Sequence, residues 1–294
     1  MPWMMRPCLR WSLALALVCV AACHLPPPQM PIVALAEVAL TSQSADQALR
    51  PGDFLFRYVN PKDRLGDKVI GGVIKGGQIA VEATSSLLKL SRAELSRLLE
   101  KHSREFEGAL VRGDPNTVHM GIYLGGGDIA EAYGTSLGDA KVGLWRLFDK
   151  GRLHTVWRVF RHRDPRIAAA VAEVARRWAL TGRMGYRVPV EVIAHSGDWD
   201  DSARSAAFEF ARAYDIEGGP PVMSSMFCSQ FAVAVGQSAV ARVALASSDP
   251  QFSAARLDDL PPEFKLNAIA SPLHVYGQWQ RSGAFELVGQ FVTE

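Results

Sequence analysis

One stretch constrains this chain more than any other: Val118-His119-Met120-Gly121-Ile122-Tyr123-Leu124, then Gly125-Gly126-Gly127, then Ile129-Ala130-Glu131-Ala132-Tyr133. Successive side chains of a strand point to opposite faces. Val118, Met120, Ile122 and Leu124 therefore share one apolar face, and His119, Gly121 and Tyr123 share the other. Glycines tolerate the positive φ angles of a tight reversal, so the two apolar segments predict an antiparallel hairpin. With all three glycines in the turn, Leu124 pairs with Asp128 and Gly121 with Glu131. Glu131 then lies diagonal to His119 on the same face, with Cβ atoms about 7–8 Å apart. Gly121, opposite Glu131, leaves room for the contact. A turn of two or four residues reverses the parity and carries Glu131 to the other face unless a bulge intervenes.

A half-buried Glu in a strand calls for a partner, and a carboxylate on one ring nitrogen of His119 fixes the tautomer of the other. The bland readings are a core-edge histidine with a backbone partner and a solvent-facing edge charge. Glu82, Asp128 and Asp53 are alternative carboxylates, although Asp53, after Pro51-Gly52, reads as a turn or strand-start group. The other histidines compete less well. His24 precedes a proline run, His102 lies in a charged segment, and His154 and His162 flank a strand among basic neighbours. His195 reads as a helix-end group, and His274 sits in a proline-bounded tail.

Cysteine usage supplies a partner for such an imidazole. The chain has Cys8, Cys19, Cys23 and Cys228. Arg6 and Arg10 precede an uncharged run from Trp11 to Ala22, about 12 residues long and short of the roughly 20 needed to span a bilayer. Residues 1–22 therefore read as a signal peptide. Val20-Ala21-Ala22-Cys23 resembles a bacterial lipobox, which makes Cys23 the lipidated first residue of the mature chain; an ordinary secretory cleavage site is the other reading. Pro26, Pro27, Pro28 and Pro31 suggest an extended tether over 23–49. Cys228 is then alone in a compartment that favours disulfides. It is either a buried small hydrophobe or a reactive thiol.

Position favours the thiol. Ser225 is a suitable N-cap for a helix from about Met226 to Val240, which puts Cys228 near the third helical position. The free N–H groups and positive dipole end of a first turn favour a thiolate and can hold an oxyanion.

Around these residues, Asp53 to Tyr58, Val142 to Phe148 and Thr155 to Phe160 read as strands. Ile167 to Leu180, started by Asp164-Pro165, and Asp201 to Tyr214 read as helices. Leu87 to Phe106 looks helical, and 69–80 is apolar and glycine-rich without the spacing of a phosphate loop. The tail, punctuated by Pro261-Pro262 and Pro272, reads as weak strand or loop. Strands first and helices later predict an α+β domain over 50–294, with an insertion at about 62–115.

Charge narrows the partners. The chain has 32 Lys and Arg against 30 Asp and Glu, but Arg6 and Arg10 leave with the leader, so the mature chain is neutral. That weakens a nucleic-acid reading. The absence of CxxC and HExxH patterns weakens a zinc reading, and no cofactor is implied.

Pro51-Gly52-Asp53-Phe54-Leu55-Phe56, His119-Met120-Gly121-Ile122-Tyr123-Leu124-Gly125, Glu131-Ala132 and Phe227-Cys228-Ser229-Gln230-Phe231 together resemble the circularly permuted, YiiX/YebB-like branch of the NlpC/P60 papain-like superfamily. In that branch the His strand precedes the Cys helix, as here. The resemblance covers about 50–60 and 116–240. It implies a papain-like α+β unit with an antiparallel sheet packed against helices, a Cys228-His119-Glu131 triad, and hydrolysis of amide bonds in cell-wall peptides or of amide and ester bonds in lipids. Two departures stand out. Gln230 replaces the usual Glu after Cys-Ser, and the interval between Asp53 and His119 is long. The expected protein is a thiol hydrolase of the bacterial envelope, held to the membrane through Cys23 and facing the periplasm. A non-catalytic binding lipoprotein is its rival.

Overall fold

The computed structural model describes residues 42–58, 117–133, 141–149, 155–181, 185–186, 199–215, 225–245, 260–267 and 270–293. The expectations for the leader, Cys23, the proline run, the 69–80 segment, Leu87 to Phe106, Glu82, His24, His102, His154 and His195 lie outside these residues.

The chain opens with α1 (Ser42–Ala48), followed by β1 (Phe54–Tyr58), β2 (Thr117–Gly125), β3 (Asp128–Tyr133), β4 (Lys141–Arg146) and β5 (Val156–His162). Then come α2 (Pro165–Thr181), β6 (Gly185–Tyr186), α3 (Asp201–Asp215), β7 (Ser225–Met226) and α4 (Cys228–Leu245). A 3₁₀ turn (Pro262–Phe264), α5 (Pro272–Ser282) and β8 (Phe285–Val292) complete it. The strands form one sheet in the order β7-β6-β4-β3-β2-β1-β5-β8. Among the described residues every pairing is antiparallel except β6 with β7. The fold is mixed α+β, an antiparallel sheet packed against several helices.

Alternation decides what each face of the sheet meets. Phe54 and Phe56 of β1, Met120, Ile122 and Leu124 of β2, and Ala130 and Ala132 of β3 point to the helices. There they join Val171, Val174 and Trp178 of α2, Phe231 and Val235 of α4, and Tyr276 and Trp279 of α5. The opposite residues, Leu55, Tyr123, Ile129, Trp157, Val159 and Phe291, form a second core closed by Ala45 and Leu49. The folded part thus reaches back to Ser42, into the stretch expected as tether. Both faces of the central strands are covered, which explains why β2 is buried over nearly its whole length.

Local signals account for several helix ends. Pro165 opens α2, and the preceding Asp164 accepts the Arg166 N–H at 2.9 Å. Ser271 caps α5 by accepting the His274 N–H at 3.2 Å, Pro272 follows it, and Gly283 ends the helix in the left-handed region. The tail is therefore more ordered than expected. Seven residues of β5 pair with β8, so the tail supplies one edge of the sheet.

The start of α4 also differs from expectation. Ser225 and Met226 stay extended because they pair with Gly185 and Tyr186. The cap moves to Phe227, whose carbonyl accepts the Phe231 N–H at 2.9 Å, and Cys228 becomes the first helical residue rather than the third. The rest of α4 is pinned by side chains. Ser229 donates to the Ala270 carbonyl at 2.7 Å, and Gln237 donates to the Phe264 and Leu266 carbonyls at 3.1 and 2.8 Å.

Asp53 fastens the sheet. Its buried carboxylate accepts two bonds from Arg161, Nε at 2.8 Å and Nη2 at 2.7 Å, and the Arg50 N–H at 2.8 Å. The pair joins the turn before β1 to β5, as expected of a strand-start group. Removing one partner of a buried ion pair strands the other charge, which costs about 3–5 kcal/mol. Arg161→Met should lower the unfolding free energy from urea denaturation by that amount, through a lower midpoint with an unchanged slope. An unchanged midpoint would show that water replaces the guanidinium at little cost.

Candidate active site

Which way Glu131 faces depends on the β2–β3 hairpin. Ile122 pairs with Ala130 and Tyr123 with Ile129, but the next pair is Gly125 with Asp128. The turn therefore holds Gly126 and Gly127 only, both with positive φ (60° and 79°), as a two-residue hairpin turn requires. Leu124 is a bulge. The expected three-residue turn is corrected, but the shorter turn and the extra bulged residue each reverse the parity, and the two cancel. The register from Tyr123 inward matches the expected one, and continuing it sets Gly121 opposite Glu131.

Glu131 and His119 meet directly. His119 Nε2 lies 2.8 Å from Glu131 Oε2, with Glu131 fully buried and His119 only 8 % exposed. Gly121 is the reason the carboxylate fits. A Cβ there would stand 2.6 Å from Ile129 Cδ1 and 3.2 Å from Glu131 Oε2. Neither of the other described carboxylates competes for the ring. Asp128 is drawn to Arg146 at 2.6 Å, and Asp53 to Arg161.

Cys228 lies near enough to the His119 ring to influence its titration. Burial opposes a charged imidazole here. The influence of Cys228 and Glu131 outweighs it and pushes His119 up to about 9. Cys228 is buried, heads α4, and is the free cysteine among the described residues. As the first helical residue it carries an N–H without an intrahelical acceptor, and the next two N–H groups share that property.

Aromatic rings complete the surroundings. Tyr133 and Trp157 meet the imidazole at centroid distances of 5.8 and 6.3 Å, both at 64°, and Trp145 packs on Tyr133 at 5.5 Å. The sequence reading did not single these out. Tyr133 was within its reach, since it sits two residues beyond Glu131 and so on the same face. Trp157 was not, because it reaches the site through β1, where Arg57 pairs with both His119 and Trp157. The remaining described histidines lie elsewhere. His162 is buried with Nε2 3.4 Å from Glu263, and its Nδ1 accepts the Asp164 N–H at 3.1 Å. His274 lies in the first turn of α5. Among the described residues, no group of three or more His, Cys, Asp or Glu side chains could hold a metal ion.

No protein-family model matches the sequence, no curated protein matches it, and no solved structure matches the fold.

The raised His119 value predicts a pH dependence of stability. An unfolded ring titrates near 6.5 and the folded one near 9. The stabilisation is complete below pH 6.5, where both states are charged, and is lost as pH rises through about 9. Wild-type protein should therefore lose stability between pH 6.5 and 9 relative to His119→Gln, by an amount on the order of 1–3 kcal/mol. Parallel denaturation curves across that range would show that the ring is not held charged.

Proposed function

We propose that this chain is a cysteine-dependent hydrolase of amide bonds, with cell-wall peptides as its substrate class. The observation that carries this reading is the buried His119–Glu131 contact at 2.8 Å, on a ring whose titration Cys228, at the start of α4, also influences. In this mechanism the Cys228 thiolate adds to the amide carbonyl carbon. The first-turn N–H groups of α4 stabilise the oxyanion, and protonated Nδ1 of His119 gives its proton to the departing amine. A thioester remains. Nδ1 then takes a proton from water as the water oxygen adds to that carbonyl, and collapse returns the thiol and a carboxylate product. Glu131 holds the ring's Nε2–H throughout and stabilises the imidazolium.

The motifs around Asp53, His119, Glu131 and Cys228 support membership of the permuted, YiiX/YebB-like branch of the NlpC/P60 superfamily, and the antiparallel sheet packed on helices is compatible with it. Localisation follows from the sequence reading: a lipoprotein anchored through Cys23 to a bacterial envelope membrane, facing the periplasm. A wall-peptide substrate suits that place because a tethered domain can reach peptidoglycan.

Purified wild-type protein given wall peptides should release new peptide amines, and Cys228→Ala should release none. His119→Ala should lower kcat/KM by about 10²–10⁴-fold, the usual worth of a general acid–base group, and Glu131→Gln by less. Free fatty acid from acyl lipids instead would move the substrate to the lipid class. Turnover of neither, with Cys228 alkylated no faster in wild type than in His119→Ala, would leave a binding lipoprotein. Mass spectrometry of the membrane-extracted chain should find Cys23 as an acylated first residue. An unmodified N-terminus would overturn the anchor.

A further inference from the structure

The hairpin that carries His119 and Glu131 is held at its turn by a residue from outside the sheet. Asp46 of α1 accepts the Gly126 N–H at 2.7 Å on Oδ1, and the same oxygen accepts the Tyr123 hydroxyl proton. The Tyr123 oxygen in turn accepts the Gly127 N–H at 3.3 Å. One carboxylate and one phenol thus engage both N–H groups of the two-residue turn. Tyr123 lies on the His119 face of β2, immediately before the Leu124 bulge. Its ring is buried with Ala45 and Leu49, and Arg161 Nη2 donates to the Ala48 carbonyl at 3.2 Å at the end of α1.

That turn is where the parity of the hairpin is decided. Three successive glycines can close a reversal in more than one way, since each tolerates positive φ. A three-residue turn without a bulge and a two-residue turn with one both keep Glu131 on the face of His119. A two-residue turn without the bulge puts it on the helix side. Asp46 recognises one of these closures. Its acceptor oxygen lies where Gly126 N–H and Tyr123 O–H converge in the observed turn of Gly126 and Gly127 beside the Leu124 bulge.

We propose that Asp46 is a positioning residue for the His119–Glu131 pair: through Tyr123 it locks the bulged turn that keeps Glu131 facing His119. This rests on the reading of that pair as the basic arm of a thiol hydrolase, and it acts on the pair without touching substrate.

The test is NMR titration of the His119 ring in full-length protein, with the pH profile of Cys228 alkylation by iodoacetamide measured alongside. Glu131→Gln sets the value for a ring without its carboxylate. Asp46→Ala should move the His119 midpoint down by about one unit, a tenfold change in proton affinity, towards the Glu131→Gln value. Asp46→Asn retains an acceptor oxygen and should restore the wild-type midpoint. Tyr123→Phe should move the midpoint the same way as Asp46→Ala, and keeps the proposal testable if the alanine variant does not fold. Amide exchange at Gly126 and Gly127 should quicken in the variants that shift the midpoint. A wild-type midpoint in Asp46→Ala or Tyr123→Phe, with both amides exchanging freely, would overturn the proposal. Alkylation that ignores His119→Ala would instead sink the thiol-hydrolase reading, while the effect of Asp46 on the ring would still be read from the titration.

Discussion

A carboxylate shut away from water needs a positive charge or strong donors beside it, and Glu131 has the His119 ring 2.8 Å away. Much of the surrounding structure follows from keeping that contact. Gly121 must lack a side chain because any Cβ would crowd Ile129 and the carboxylate. Tyr133 and Trp157 stand at the edges of the imidazole, and low surrounding polarity strengthens each charge interaction within. The cost of burying the ring is overcome because Glu131 and Cys228 both favour its charged form. An imidazole held by a buried carboxylate and flanked by two aromatic rings has little freedom to turn.

The parts of this arrangement that could be read from sequence are those fixed by short-range periodicity. Alternation alone sorts Met120, Ile122 and Leu124 from His119 and Tyr123, and the packing follows that division. Asp164-Pro165 marks the beginning of α2 because cap and proline act within one turn. The identity of the turn residues was not legible, since Gly125, Gly126 and Gly127 are locally equivalent. What distinguishes them is Asp46, about eighty residues away. Ser225 misled for a related reason. Its preference for an N-cap is worth about 1 kcal/mol, and pairing with Gly185 and Tyr186 overrides it.

The tail and α1 are both more ordered than expected, for different reasons. Ser271-Pro272 and Gly283 are ordinary start and stop signals, so α5 was present in the sequence and was passed over among the prolines. β8 carries no such marks. Glu286, Gly289 and Gln290 interrupt its apolar pattern, as suits a strand with one open edge. α1 has polar residues at most positions and no apolar stripe. Its place depends on Ala45 and Leu49 filling the second core, a fact of tertiary packing rather than of helix propensity.

The meeting of Phe54 with Trp279, ring centroids 4.5 Å apart, carries a consequence for how the molecule is made. An early strand cannot bury its face until a helix more than two hundred residues later has left the ribosome. Until then the apolar side of β1 has no lasting cover, and the β5 edge waits for β8. Contacts so distant along the chain slow closure of the core. Closure of this core therefore waits until α5 and β8 have been made.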